Sequence, residues 1–387
     1  MKRRDFLTTS LCFLGTLQSA SAFWPSRSEG KIPDKAVTGQ VFVDDAPKRI
    51  WKWSKEARFY EKAGKGRVVC QLCPHSCLLE PGDRGVCRNR VNHEGKMYTL
   101  AYGNPCAVHV DPIEKKPLFH FKPQSKALSI ATTGCNFRCL NCQNWQISQA
   151  RPSKVRHQDL FPEKVVAKAL DHRSTTIAYT YSEPISFYEY MYDTAKLAKN
   201  EGLYNVLISN GYIGQEPLLQ LSQVIDGANI NLKAFDDKVY QKLNGGRLKP
   251  VLDTFKTLHK SGVHFEMTNL VVPGYVDDPE MVKRMSGWIL ENLGPDYPLH
   301  FLRFFPQYKL DRLSPTPIST LIRFRDLAQR EGIHYVYIGN APIQEGMNTY
   351  CHHCGKLLIK RKGYQIPVNE IIDGQCKFCQ TNIPGVW

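Results

Sequence analysis

From residue 126 onward the chain alternates between two hydrophobic patterns. Short, largely apolar runs at 127–131, 176–180, 205–209, 229–234, 264–272 and 300–304 have the length of strands, and a seventh at 334–338 continues the series. Between them, at 162–170, 185–199, 216–225, 251–261, 279–293 and 319–330, apolar positions recur every three to four residues, which predicts amphipathic helices. Strand-like runs separated by helices predict an α/β fold, because parallel strands need helical crossovers and are covered on both faces. The expected architecture is a parallel barrel or open sheet with its functional residues at the C-terminal strand ends. No longer-period repeat is visible.

Ahead of this region the pattern breaks. Met1-Lys2-Arg3-Arg4-Asp5-Phe6-Leu7 leads into an apolar run over 11–17 and then Ala20-Ser21-Ala22. Paired arginines, a short apolar stretch and an A-x-A site predict a twin-arginine-type signal over 1–22. The run is too short to span a bilayer, so no stable membrane span is expected in the mature chain. Residues 23–65, rich in Pro, Lys and Ser, read as a linker, with Trp51 and Trp53 docking on a later surface. Residues 66–125 read as an N-terminal four-cysteine module and a strand-rich connector, 126–340 as the main α/β domain, and 345–387 as a small C-terminal module.

Composition changes this picture in two ways. With 42% hydrophobic and 11% aromatic residues, 387 residues can bury a barrel-sized core plus small modules. The formal charge of +15 is spread along the chain, and no basic–aromatic motif accompanies it, so it reads as solvated surface and no nucleic-acid partner is expected. The thirteen cysteines are the second change, since eleven fall into three groups: Cys70/Cys73/Cys77/Cys87, Cys135/Cys139/Cys142 and Cys351/Cys354/Cys376/Cys379. Spacings of two and three residues suit metal sites better than disulfides.

The middle group lies in Thr132-Thr133-Gly134-Cys135-Asn136-Phe137-Arg138-Cys139-Leu140-Asn141-Cys142-Gln143-Asn144-Trp145, directly after the first strand. Three thiols in one curled loop suit an iron–sulfur cubane with one iron left open, whereas a closed zinc site wants a fourth Cys or His, and the next such residue is His157. Phe137 and Trp145 are placed to shield such a cluster. Polar residues follow at successive strand ends: Tyr181-Ser182-Glu183-Pro184, Ser209-Asn210-Gly211-Tyr212, Asn231-Leu232-Lys233 and Val272-Pro273-Gly274. A carboxylate, amides and a lysine around the loop can hold the amine, ribose and carboxylate of an adenosyl amino acid.

On these motifs, residues 126–340 resemble the pyruvate formate-lyase activating-enzyme branch of the radical SAM superfamily. From Cys70 to Trp387 the chain looks like the radical SAM member of the AmmeMemoRadiSam system, through CQLCPHSC, TTGCNFRCLNCQNW, YTYSEP, SNGY, NLKAF and the closing NIPGVW. Two positions depart from the family pattern: Asn141 stands where many members carry an aromatic, and Asn231 where relatives usually have Asp. The resemblance implies a partial (β/α)6 barrel, with a [4Fe–4S] cluster on Cys135, Cys139 and Cys142. It places S-adenosylmethionine (SAM) near Glu183, Asn210 and Lys233, and implies reductive cleavage of SAM to a 5′-deoxyadenosyl radical that abstracts hydrogen. It also implies an electron donor such as flavodoxin or ferredoxin and an unidentified substrate, either a protein glycyl position or a small molecule. The twin-arginine signal points to the periplasm, while SAM and low-potential reductants point to the cytoplasm.

The flanking modules read as metal sites. Cys351, Cys354, Cys376 and Cys379 form paired C-x2-C knuckles of zinc-ribbon type, with zinc or iron open, and His352 and His353 as solvent-facing knuckle residues. Cys70, Cys73, Cys77 and Cys87 form a compact knuckle for which zinc is the conservative choice and a second cluster the alternative. Tyr181, Arg303 and Gln307 are candidates for a substrate-facing pocket. The competing functional class is an iron–sulfur electron-transfer or metal-carrier protein, which needs neither Glu183 nor Lys233 near its cluster. A nucleic-acid-recruiting ribbon would need no barrel.

Overall fold

The computed structural model describes residues 40–387, so the signal expected over 1–22 and residues 23–39 lie outside the described residues. Residues 40–65, expected as linker, are folded. Strands β1 (Lys55–Glu56) and β2 (Tyr60–Lys62) are paired with β6 (Lys96–Thr99) and β3 (Val68–Cys70) respectively. With β4 (Leu78–Leu79) and β5 (Arg90–His93) they build two small antiparallel sheets around the first four cysteines. Trp53 docks as expected, its indole N–H donating to Asp159 at 3.0 Å.

The main sheet has eight strands. β7 (Ala107–Pro112) runs antiparallel beside β8 (Lys126–Ala131). β9 (Thr176–Tyr179), β10 (Tyr204–Ser209), β11 (Gly227–Asn231), β12 (His264–Val271), β13 (Leu299–Arg303) and β14 (Val336–Gly339) then add in sequence order, each parallel to its neighbour. The order is linear from β14 to β7, so this is a partial, open barrel. It holds seven parallel strands, because the run at 334–338 does form a strand, and β7 extends the other edge.

The crossover helices lie where periodicity placed them: Pro162–Asp171, Tyr188–Asn200, Gln215–Leu221, Leu248–Lys260, Pro279–Asn292 and Ile318–Glu331. Proline at the first turn starts two of them, where the missing N–H costs nothing. Gly332, at φ +118°, closes the last in the left-handed conformation that glycine adopts without strain. The expected helix at 185–199 opens as a 3-10 turn, Pro184–Phe187, capped by the Glu183 side chain.

The C-terminal module contributes β15 (Thr349–Tyr350), β16 (Leu357–Lys362) and β17 (Gln365–Asn369), with the pair β18 (Ile371–Ile372) and β19 (Gln375–Cys376). It packs near the N-terminal ends of the parallel strands. Fully buried Arg361 donates to Met347 O, Phe119 O and Thr349 Oγ1, each at 2.8 Å. Thr349 and Tyr337 hydroxyls are 2.8 Å apart, and Tyr337 reaches His120 Nε2 at 2.7 Å. His120 Nδ1 meets Pro384 O at 2.6 Å. Burial keeps His120 neutral, and Pro384 O, which can only accept, takes the Nδ1 proton, so Nε2 accepts from the Tyr337 hydroxyl. Beside it, buried Glu266 accepts from the His120 backbone N–H and pairs with His300 at 2.6 Å. Burial would raise the Glu266 carboxyl, but the imidazoles of His264 and His300 outweigh it and hold it well below the usual carboxylate range. A charged, satisfied plug thus closes the barrel floor.

Candidate active site

The opposite end, at the C-terminal strand tips, is open. A cleft of about 1690 Å³, including solvent at its mouth, is lined by Cys135, Cys139 and Cys142 together with Glu183, Asn210 and Lys233. The three thiols sit on the loop after β8. Gly134 makes that turn at φ +94°, and a Cβ there would lie 2.5 Å from the Cys87 carbonyl oxygen, so only glycine fits. The loop is laced in place by Arg138 N–H to Asn244 O at 2.8 Å and Leu140 N–H to Leu243 O at 2.9 Å. Phe137 is buried between Tyr212 and Tyr240, a burial contributing about 1.5–3 kcal/mol.

Each sulfur has a polar neighbour. Cys135 Sγ receives the Phe137 N–H at 3.3 Å and the Asn210 amide at 3.8 Å, Cys139 Sγ receives the Asn244 amide at 3.2 Å, and Cys142 Sγ lies 3.0 Å from the Ser148 hydroxyl. Such donors stabilise thiolates bound to a metal. Without one, burial and then Glu183 push the Cys135 thiol well up, and burial raises Cys139 against the pull of Lys233. The lining contains no fourth cysteine and no histidine. The donor set therefore fits a three-thiolate cluster with one open position rather than a closed zinc site.

Glu183 is buried at the tip of β9, its carboxylate accepting from Ser209 Oγ at 2.7 Å, the Asn210 N–H at 2.8 Å and the Ile185 N–H at 3.2 Å. Burial pushes its carboxyl up to about 7, and these donors pull the other way. The Asn210 amide also bonds Asn136 Oδ1 at 2.8 Å, tying the β10 tip to the cysteine loop. Lys233 donates to Asn231 Oδ1 at 2.9 Å. The structure thus brings the cysteine loop and the predicted residues of the next three strand tips to one cleft, whereas Val272, Pro273 and Gly274 after β12 do not line it, and Asn231 serves as the lysine's neutral partner.

Of the substrate-pocket candidates, Tyr181 lines the cleft, in a left-handed backbone conformation at φ +64°. Arg303 and Gln307 do not line it: along β13, Leu302 faces the cleft, and the next residue in a pleated strand points away. The Arg303 guanidinium instead donates to Thr316 O at 2.9 Å. Sequence reasoning missed the cleft-wall lysines Lys115 and Lys116 and the carboxylate that holds them. Asp111, on β7, accepts from Lys115 at 2.8 Å, Lys116 at 2.5 Å and the Tyr181 hydroxyl. Burial lowers the Lys116 ammonium to about 8, with Asp111 opposing the shift. The adjacent lysines ahead of β8 were the available signal, but nothing local tied them to Tyr181.

The two flanking cysteine groups differ. Cys351–Cys379 and Cys354–Cys376 sulfurs are each 3.7 Å apart, and all four lie within 4.8 Å of one another. His352 is not among them; its Nδ1 meets the Tyr335 hydroxyl at 2.7 Å, and its ring stacks on His334. Cys70, Cys73, Cys77 and Cys87 converge instead on a separate cavity behind the cluster loop.

Residues 129–285 match the family model of the Radical SAM superfamily. The chain is 45% identical over 331 residues to an uncharacterized protein of Methanocaldococcus jannaschii, an alignment covering 85% of this chain and 98% of that one. It is 26% identical over 214 residues to pyruvate formate-lyase 1-activating enzyme of Escherichia coli K12, covering 51% of this chain and 87% of that protein. A solved radical SAM methyltransferase from Sphaerobacter thermophilus superposes with a TM-score of 0.45 at 14% identity, over 61% of this chain and 71% of that one. Family match and relatives define an α/β iron–sulfur enzyme. The chain belongs to the radical SAM superfamily, whose members use a [4Fe–4S] cluster and SAM. Among the described residues, no helix is long and apolar enough to cross a membrane.

Proposed function

We propose that Cys135, Cys139 and Cys142 hold a [4Fe–4S] cluster and that the cleft above them binds SAM and a substrate from which hydrogen is abstracted. The supporting observation is the meeting in one cleft of three donor-supported thiols, no fourth ligand, and the polar tips of the next three strands. A cluster held by these three thiolates would, once reduced, supply the one-electron chemistry for reductive cleavage of SAM and the hydrogen abstraction that follows from it.

The protein's own residues orient and exclude. Glu183, fixed by three donors, offers carboxylate lone pairs to an amino group, and Asn210 holds the cysteine loop in register with it. Lys233 presents a cation for a carboxylate, and Asn231 steadies it without neutralising it. Phe137 and the aromatic rings around it keep water from one side of the loop. Lys116 and Tyr181, joined through Asp111, form the wall facing the substrate. A one-electron donor of flavodoxin or ferredoxin type supplies the reductant. The substrate is a protein glycyl position or a small molecule, the first favoured by the relatives named as activating enzymes.

A redox relay would need no polar strand tips. Equilibrium dialysis of SAM against anaerobically reconstituted protein separates the two readings. Binding that is lost in a Cys135→Ala/Cys139→Ala/Cys142→Ala variant and weakened in Glu183→Gln supports the enzyme, and no binding to the reconstituted protein favours the relay. We also propose a tetrahedral ion on Cys351, Cys354, Cys376 and Cys379. With a metal–sulfur bond of about 2.3 Å, zinc thiolates sit roughly 3.8 Å apart, and the observed edges are 3.7 Å.

A further inference from the structure

We propose that Cys70, Cys73, Cys77 and Cys87 bind a second iron–sulfur cluster rather than zinc. The contrast with the C-terminal module carries the argument. There, four sulfurs already stand at the spacing of a single tetrahedral ion. Among the described residues, no three of Cys70, Cys73, Cys77 and Cys87 come within 4.8 Å of one another, and neither do the three thiols of the cleft. Instead the four thiols line one common cavity, with the apolar side chains Leu72 and Leu79 among its other walls. A lone ion bound by all four would require the sulfurs to close inward across that space. A cluster, which puts iron and sulfide between its thiolates, fills it, and four cysteines are its usual ligand set.

Two further observations point to an occupant. His75, also on the cavity wall, bonds the Asn136 carbonyl at 2.7 Å through Nε2, while its buried Nδ1 has no partner. Arg88 is buried with its guanidinium on Val86 O, Cys135 O and Gln149 Oε1, and makes no ion pair with a carboxylate among the described residues. Buried cations are rarely left without counter-charge, and an anionic thiolate centre on Cys87, the residue before it, supplies one. Arg90 donates to Cys70 Sγ at 3.4 Å, the kind of bond that supports a ligating thiolate. His75 and Arg88 both touch the backbone of the cleft's cysteine loop, so the second cluster braces that loop from behind.

The inference does not depend on SAM chemistry, and its test leaves the N-terminal module intact. The Cys135→Ala/Cys139→Ala/Cys142→Ala variant is reconstituted anaerobically with ferrous iron and sulfide, then analysed for iron, sulfide and zinc. The expected result is retained iron and acid-labile sulfide in equal amounts, about half the native content if both centres are cubanes, with one zinc per chain in the C-terminal module. In the otherwise native chain, Cys70→Ser/Cys87→Ser removes the same share of iron while that zinc stays, which also shows that the fold survives. Two zinc ions per chain and no sulfide in the triple variant, or no metal in the N-terminal module, overturns the proposal.

Discussion

His120 on the barrel floor makes stability depend on pH in a way the structure quantifies. Its imidazole is fully buried, and burial lowers its pKa to about 3 from 6.5, outweighing the upward pull of Glu266 and of the bond to Pro384. The groups facing it from neighbouring elements are Glu266 on β12, Arg361 on β16, His264 on β12 and Tyr337 on β14. Protonation would turn Nε2 into a donor and break the Tyr337 bond that completes the chain from Arg361. The folded pKa is below the unfolded one, so the contribution is fully present above pH 6.5. It falls away as the pH drops from there toward 3, where the unfolded chain holds the extra proton. Between pH 8 and 5 the loss is about 2 kcal/mol. Anaerobic urea unfolding at both pH values, for the native protein and His120→Gln, isolates this share by difference, since His75 and His352 titrate alike in both. The native protein should lose about 2 kcal/mol more than the variant on acidification. Equal pH dependence in the two would refute the assignment of a neutral, chain-locked His120.

Further outcomes follow from the cleft. Gly134→Ala forces a Cβ against the Cys87 carbonyl at a positive φ and should sharply reduce iron retention with the rest of the fold intact, measured as iron per chain against an unchanged far-UV circular dichroism spectrum. Asn244→Leu removes the amide from Cys139 Sγ at similar volume, and should shift the reduction potential of the cleft cluster downward, read by redox titration. Lys116→Met leaves Asp111 with Lys115 and Tyr181 on the cleft wall, and should spare substrate-free SAM cleavage while cutting substrate-coupled turnover at least tenfold. Equal loss of both activities would place Lys116 in the fold rather than at the substrate.

The parallel strands were legible because each is buried along its length and so reads as one apolar run; β9 has no exposed residue. The cysteine loop was legible because its geometry is local, three ligands within eight residues of one turn. What escaped depends on pairing across sequence. β7 is only partly buried and is defined by its ladder to β8, and Asp111 on it meets Tyr181 across 70 residues. Residues 40–65 read as linker because β1 and β2 are two and three residues long, below any periodicity, yet Lys55 is ion-paired with Asp193 on a barrel helix. Arg303 was misplaced by a single step of the pleat, since strand parity cannot be fixed until a neighbour is known to face the cleft. The contrast between the two four-cysteine groups is likewise invisible in spacing and rests on how far apart the fold holds their sulfurs.

The central claim is tested most directly by anaerobic reconstitution, addition of SAM and dithionite, and quantification of 5′-deoxyadenosine. The native protein should release it, and the Cys135→Ala/Cys139→Ala/Cys142→Ala variant should release none while keeping the metal content of its C-terminal module. A native protein with a reducible cluster that yields no 5′-deoxyadenosine, and whose spectrum does not respond to SAM, would contradict the account.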